Sequence, residues 1–355
     1  MLRFGNDTIG ALEFSVTWEK NGARHEERFI GRRFNPVNDI FPRGMREALE
    51  GKTAGESVTL TYEPRLCIPR FRESKVLRLP MDRLRKKTIR AEPIVPRVGR
   101  FYPQGHIDGL LDVYPDTLTP FRLTELAADG FTADLNHPLA LIPVTFEARI
   151  QYLEKRDVGT YGSITHWREA TCDWGPGMQA RHEGRPTDFF LPGFFDRQCA
   201  DDAPPAPPAP DARARENIAA LRARFLQPGI RVLDVSPCGP VPSGDFEAAA
   251  AVQVLEYAAE PDALLRTVAD RLPSGAPVAV FFTDRWDPAQ VIHGWTDLHA
   301  FERMGLVLEY LHRAGLDRDA RTVSIRNDWR DRDDPRFLET RGVSDPVFAV
   351  CGRKR

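Results

Sequence analysis

The sequence is poor in the signals that direct a chain to a membrane, an oxidising compartment or a metal. Its first residues, MLRFGNDTIGALEF, hold no apolar run of signal-peptide length. No stretch approaches the roughly 20 apolar residues of a membrane-spanning helix. A cytoplasmic location and no membrane partner are therefore expected. The five cysteines, Cys67, Cys172, Cys199, Cys238 and Cys351, are odd in number and scattered. None forms a Cys-x-x-Cys pair, which speaks against both a zinc knuckle and a disulfide framework. His166 and His182 stand near Asp173, Glu183 and Asp188 without the spacing of a metal site, and no metal is expected. Internal repeats are missing. A formal net charge of -2 gives no general affinity for polyanions.

What is present is enough material for two cores. The chain has 355 residues, 42% of them hydrophobic and 28% charged, and each half is long enough to bury its own apolar side chains. Asp201 to Pro210 is a Pro/Ala run, which predicts an extended, semi-rigid spacer because proline fixes φ and removes donors. Before it, strand patterns dominate: Ala11 to Trp18, then the turn signal Asn21-Gly22, Ser57 to Tyr62, and Val144 to Tyr152. A short helix over Met45 to Glu50 is closed by Gly51. After the spacer, Arg213 to Phe225 carries helical spacing, and Arg231 to Val235 reads as a buried strand. Ala248 to Leu255, Pro261 to Leu272 and Val278 to Phe282 then read strand, helix, strand. Such alternation predicts a parallel sheet.

Two stretches of the first half resemble one family. Ile40-Phe41-Pro42-Arg43-Gly44-Met45-Arg46-Glu47-Ala48-Leu49-Glu50-Gly51-Lys52-Thr53-Ala54-Gly55-Glu56 is similar to the helix and turn of FKBP-type prolyl isomerases. Ala133-Asp134-Leu135-Asn136-His137-Pro138-Leu139-Ala140, followed by Val144 to Ala148, resembles the signature that ends the insertion of the SlyD-like branch. The resemblance implies a small sheet wrapped on one helix, with a chaperone subdomain inserted at about residues 70–138. It also implies proline isomerisation. Twisting an X-Pro amide out of plane meets a barrier of about 18–20 kcal/mol, and an apolar pocket that grips the twisted form can lower it without nucleophile or metal. The residues that match that pocket are Phe29, Ile40, Phe41, Met45 and Phe146. The family's Asp after the phenylalanine is replaced by Ile30, and its Ala-Tyr-Gly flap by Pro69-Arg70-Phe71.

Residues 65–100 carry 12 Arg and Lys against Glu73, Asp82 and Glu92, a local +9. An acidic partner would suit this segment. The absence of stacking aromatics between Arg83 and Arg90 speaks against nucleic acid, and a solvated charged face is the plain expectation. The Trp167, Trp174, Phe189 and Phe190 side chains predict an ordered connector over 156–200 that docks the two halves.

Residues 213–316 resemble class I S-adenosylmethionine-dependent methyltransferases. Arg231 to Val235 matches the first strand of that family, Phe246 to Ala258 its fourth, and Val278 to Phe282 its fifth. The family sheet runs 3-2-1-4-5-7-6. Here Val235 leads through Ser236-Pro237-Cys238-Gly239-Pro240-Val241-Pro242-Ser243-Gly244-Asp245 straight into the fourth strand. Strands two and three have no room, and three prolines stand where a glycine-rich loop would offer amides to the cofactor. A half-sheet without a cofactor is the expectation, with Asp234 a strand-end cap.

The expected fold is thus α+β, an FKBP-like sheet domain over 1–155 with its insertion, then the connector (156–200) and a Pro/Ala linker (201–212). A shortened Rossmann-like α/β domain follows over 213–355. The expected function is a chaperone or assembly factor that binds a polypeptide client or partner protein, with a pseudo-methyltransferase half as an interaction surface. Any enzymatic activity would be prolyl isomerisation. The alternative is an active methyltransferase with an atypical cofactor site.

Overall fold

The computed structural model describes residues 1–87, 93–157, 164–190, 193–196, 206–236 and 240–355. Cys199, Cys238, Arg90 and the first half of the Pro/Ala run lie outside these residues.

The chain opens with a long hairpin, β1 (Thr8–Lys20) and β2 (Ala23–Phe34). Leu12, Phe14, Val16 and Trp18 point to one face and are buried, as the two-residue period of a strand requires. The short helix α1 (Met45–Leu49) follows, burying Met45 and Leu49. Gly51, at φ 76, takes the left-handed turn that ends it and sends its amide to Phe4 O at 2.9 Å. Strand β3 (Ser57–Tyr62) comes next, and a second sheet interrupts the chain before it returns. That sheet holds β4 (Val76–Pro80), β5 (Phe101–Pro103), β6 (Pro120–Leu126) and β7 (Gly130–Asp134) in the order β4-β7-β6-β5. It has a core of its own in Leu84, Ile107, Phe121, Leu123, Phe131 and Ala133. Strand β8 (Val144–Lys155) then pairs antiparallel with both β1 and β3. The connector adds the short helix α2 (Trp167–Cys172).

The second half begins with α3 (Ala212–Leu226), capped by Asp211, whose side chain accepts from Ala214 N at 3.1 Å. Strands β9 (Val232–Val235) and β10 (Ala248–Val252) follow, then α4 (Pro261–Asp270) and β11 (Pro277–Phe282). Helices α5 (His293–Thr296) and α6 (Ala300–Arg313) precede the closing strands β12 (Arg318–Arg326) and β13 (Val347–Arg353). Ala248, Ala250, Ala279, Phe281, Val347 and Ala349 face the core under α3. Their neighbours Ala249, Ala251, Val278, Val280, Phe282, Phe348 and Val350 face the opposite core with α4 and α6. Strands buried on both faces lose the polar alternation, which is why they read as continuous apolar runs.

The molecule is a mixed α/β structure built on one nine-stranded sheet, ordered β3-β8-β1-β2-β12-β13-β11-β10-β9. Its second part, β9-β10-β11-β13-β12, is parallel through β11 and antiparallel at β13. This is the order 1-4-5-7-6 expected for the second half with strands two and three left out. The two halves join where β12 pairs in parallel with β2, from Arg321↔Arg24 to Arg326↔Phe29. The seam is polar on one side. His25 Nδ1 meets Thr322 Oγ1 at 2.8 Å. Glu27, fully buried, takes Arg326 Nε at 2.6 Å and the Ser324 hydroxyl. A one-residue slip would strand Glu27 against apolar neighbours, so these pairs fix the register. No helix among the described residues is long and apolar enough to cross a membrane.

Candidate functional site

The five residues matching a prolyl pocket do not form an open one. Met45 and Phe146 are fully buried, and Phe29 and Phe41 pack against the same core. Phe146 sits edge-on between Phe14 and Tyr62, with ring centroids 6.2 and 6.3 Å away. Ile40 alone is exposed, at 47%. The connector occupies its backbone: Ile40 N donates to Thr165 O and Trp167 N donates to Ile40 O, both at 2.9 Å. The Trp167 ring lies 5.2 Å from Phe14, and its indole N–H donates to Asp39 at 3.0 Å. Gly31 makes room for it, since a Cβ there would come within 2.9 Å of the indole. The Asn-His-Pro motif is used structurally. Asn136 exchanges hydrogen bonds with the Arg72 backbone at 2.8 and 3.1 Å, closing the neck of the inserted sheet. His137 bonds the Cys172 carbonyl at 3.0 Å, and burial lowers its pKa to about 4.

The carboxyl ends of β10 and β11 are where an open α/β sheet receives a ligand. Here they carry Gln253, Glu256 and Thr283, all buried, and Asp284, which is exposed. Arg303 of α6 stacks on Trp286 at 4.4 Å and donates to Trp295 O at 2.8 Å. Burial pushes Glu256 up to about 8, with the nearby Arg303 only partly offsetting it. The mouth is covered by the chain itself. Where the proline run predicts a spacer, residues 206–211 are docked: Gln253 Nε2 donates to Pro208 O at 3.3 Å and Arg285 to Ala209 O at 3.2 Å. Asp211 takes Asp345 N at 2.6 Å and Ser344 Oγ at 3.0 Å. Proline lacks donors, not acceptors, so its carbonyls hold the segment in place. Asp234, read as a strand-end cap, pairs with Arg222 of α3 at 2.6 Å.

The basic segment is also partly internal. Arg97 and Arg100 are 5% and 2% exposed, and Arg100 pairs with Glu302 of α6 at 2.8 Å. Arg85 pairs with Asp108 at 2.7 Å. Arg65, Arg70, Arg72, Lys75, Lys86 and Lys87 remain on the surface. The expectation of a solvated face therefore holds for part of the segment only, because the inserted sheet spends two of its arginines on docking.

An open cleft of about 640 Å³ lies between the inserted sheet and the main body. Phe71, Phe101, Leu141 and Ile142 supply its apolar surface, and Lys20, Arg122, Asp134, His182, Glu183 and Arg185 its charges. Nothing in the sequence marks it, since Lys20, Arg122 and His182 come together only through the fold. A second cleft, of about 600 Å³, opens beside the seam and is lined by Phe29, Trp167, Tyr152 and Trp329.

No family model matches the chain, and no curated protein matches it. Among solved structures, the cyclase SpnF aligns with 17% identity and a TM-score of 0.27, covering 44% of this chain and 88% of its own. An S-adenosylmethionine-dependent methyltransferase from Mesorhizobium loti aligns with 17% identity and a TM-score of 0.21, covering 39% and 76%. At such values the reading of the second half rests on strand order. Neither structure lends support to the FKBP-like reading of residues 11–155.

The buried titrating groups predict a stability optimum. Burial raises Glu27 to about 7 and Glu256 to about 8. The folded state holds these protons more tightly than the unfolded chain, so each carboxyl withdraws stability as pH climbs from its ordinary value to its raised one. His25, His137 and His299 are each lowered to about 4. They act oppositely, adding stability as pH rises to about 6.5, the ordinary histidine value. Thermal unfolding across pH should give a maximum near pH 6.5 and a loss of about 2 kcal/mol by pH 8.5. A stability that climbs steadily through pH 8 would contradict the assignment.

Proposed function

We propose that the protein binds extended polypeptide, as a folding helper or assembly factor, in the cleft between the inserted sheet and the main sheet. Its methyltransferase-like half acts as a scaffold. The observation that supports this reading is a contrast. The two places where the resemblances put chemistry are engaged by the chain's own connecting segments: Trp167 packs on Phe14 beside Ile40, leaving Phe29 on the smaller cleft, and residues 206–211 dock at the carboxyl ends of β10 and β11. The larger cleft stays open, and its apolar residues are the kind that hold a client's side chains. Phe71 and Val76 line it, and the exposed Arg70, Arg72 and Lys75 lie on the same stretch. A client with acidic groups beside apolar ones fits that wall.

A second reading, S-adenosylmethionine-dependent methyl transfer, is favoured by the strand order β9-β10-β11-β13-β12. It requires residues 206–211 to leave the carboxyl ends of β10 and β11.

One pair of titrations separates the two. Reduced, carboxymethylated lactalbumin serves as an acidic, permanently unfolded client, followed by fluorescence anisotropy. Micromolar binding is expected, weakened at least tenfold by Leu141→Asp, whose side chain is 60% exposed and should be replaceable without loss of fold. S-Adenosylmethionine should show no heat of binding at micromolar concentration. Cofactor binding with no client binding would replace the first reading by the second.

A further inference from the structure

Lys20 ends β1, immediately before the Asn21-Gly22 turn, and lines the large cleft. The carboxylates facing it are committed elsewhere. Asp134 at the end of β7 accepts from Asn136 N and Nδ2 at 2.9 and 2.8 Å. Glu183 pairs with Arg185 at 3.5 Å. Glu125 of β6 also lines the cleft but bonds Thr132 at 2.9 Å. Lys20 forms no salt bridge among the described residues. Three further groups bear on it: the buried Arg122 guanidinium of β6, the neutral His25 of β2 and His182 of the connector. Arg122 is fixed by donation to Gly99 O at 3.2 Å and to Ala180 O.

We propose that Lys20 is a covalent binding site, whose amine condenses with an aldehyde admitted to the cleft and holds it as an imine. The nitrogen lone pair adds to the carbonyl carbon, forming the C–N bond and sending the carbonyl pair to oxygen. The carbinolamine then loses its oxygen as water, taking up one proton while nitrogen gives up its last. Water is the sole by-product, and no oxidant or reductant enters. An aromatic or branched aldehyde suits the apolar surface of Phe71, Phe101 and Leu141. The chemistry needs a neutral amine near neutral pH. Burial, with Arg122 adding repulsion, lowers the Lys20 pKa to about 8, while Asp134 and Glu183 oppose this more weakly. An ordinary lysine near pKa 10.4 keeps roughly a hundredfold less free amine at pH 7. The inference rests on the amine and its neighbours, so it stands or falls apart from the polypeptide reading.

The test uses the intact protein with benzaldehyde and cyanoborohydride, which traps an imine as a stable secondary amine. Peptide mapping by mass spectrometry gives a rate for each lysine. Lys20 is expected to be labelled at least tenfold faster at pH 7 than the exposed Lys75, Lys86 and Lys155, with its rate levelling off above pH 8. Equal or slower labelling of Lys20, or a rate that keeps rising to pH 10 alongside Lys75, would overturn the assignment.

Discussion

Glu302→Leu should destabilise the protein by about 3–5 kcal/mol, the usual cost of removing one partner from a buried ion pair. Glu302 is 2% exposed and serves two elements at once. It is the third residue of α6, and its carboxylate takes the amide of the helix cap His299 at 3.2 Å. It also takes Arg100 Nε at 2.8 Å and Phe101 N at 2.9 Å. Without it, the Arg100 guanidinium stays buried with the Asp297 carbonyl at 2.9 Å as its remaining acceptor. Urea denaturation gives the loss. Hydrogen exchange gives its location, because protection should fall first in β5 to β7 and last in β12 and β13. A change below about 1 kcal/mol, within the range of an ordinary surface pair, would mean that the inserted sheet is not bolted to α6 by this contact.

Arg330→Met is expected to cost a similar amount, about 3–5 kcal/mol, for the converse reason. The Arg330 side chain is 1% exposed and pairs with Asp345 at 2.5 Å, Asp334 at 3.1 Å and Asp211 at 3.2 Å. Its loss leaves Asp211 and Asp345 buried with a shortage of cations. Arg336, at 3.1 Å, and Arg285, at 3.5 Å, reach only Asp345. Asp211 both caps α3 and anchors the segment that covers the carboxyl ends of β10 and β11. The variant should therefore become sensitive to proteolysis near residues 206–211 before it unfolds globally. Resistance equal to that of the parent would show the segment to be held by Gln253 and Arg285 instead. S-Adenosylmethionine binding confined to the variant would recast the segment as a removable strap over a working site.

Local pattern carried much of the architecture. The β10 and β11 runs, the Pro261 start of α4 and the helical spacing of Ile218 and Leu221 are short-range signals, and each lands on the element it predicts. The direct passage from β9 to β10 was also legible, because the dozen residues between them leave no room for further strands. Long-range placement was not. Arg100 reads as surface charge until α6 brings Glu302 to it. The 206–211 segment reads as a free spacer because side-chain donors such as Gln253 and Arg285 are remote in sequence. Trp167 is visible as a docking residue, but nothing local says that it docks beside Ile40, against the residues matched to a prolyl pocket. The Lys20 cleft was invisible for the same reason: its charges come from β1, β6, β7 and the connector.

The pairing of β2 with β12 has a consequence for how the chain comes to be folded. Thr322 meets His25 across 297 positions of sequence, so the hairpin made first waits for nearly the whole chain before its outer edge is satisfied. During synthesis at about 5–20 residues per second, that edge stands open for tens of seconds with unpaired amides and carbonyls. Its Glu26, Glu27, Arg28, Arg32 and Arg33 would then act as gatekeepers, the charges that keep a waiting strand from pairing with another copy of itself. The acid buried at the seam in the finished protein is, on this view, also what protects the unfinished one.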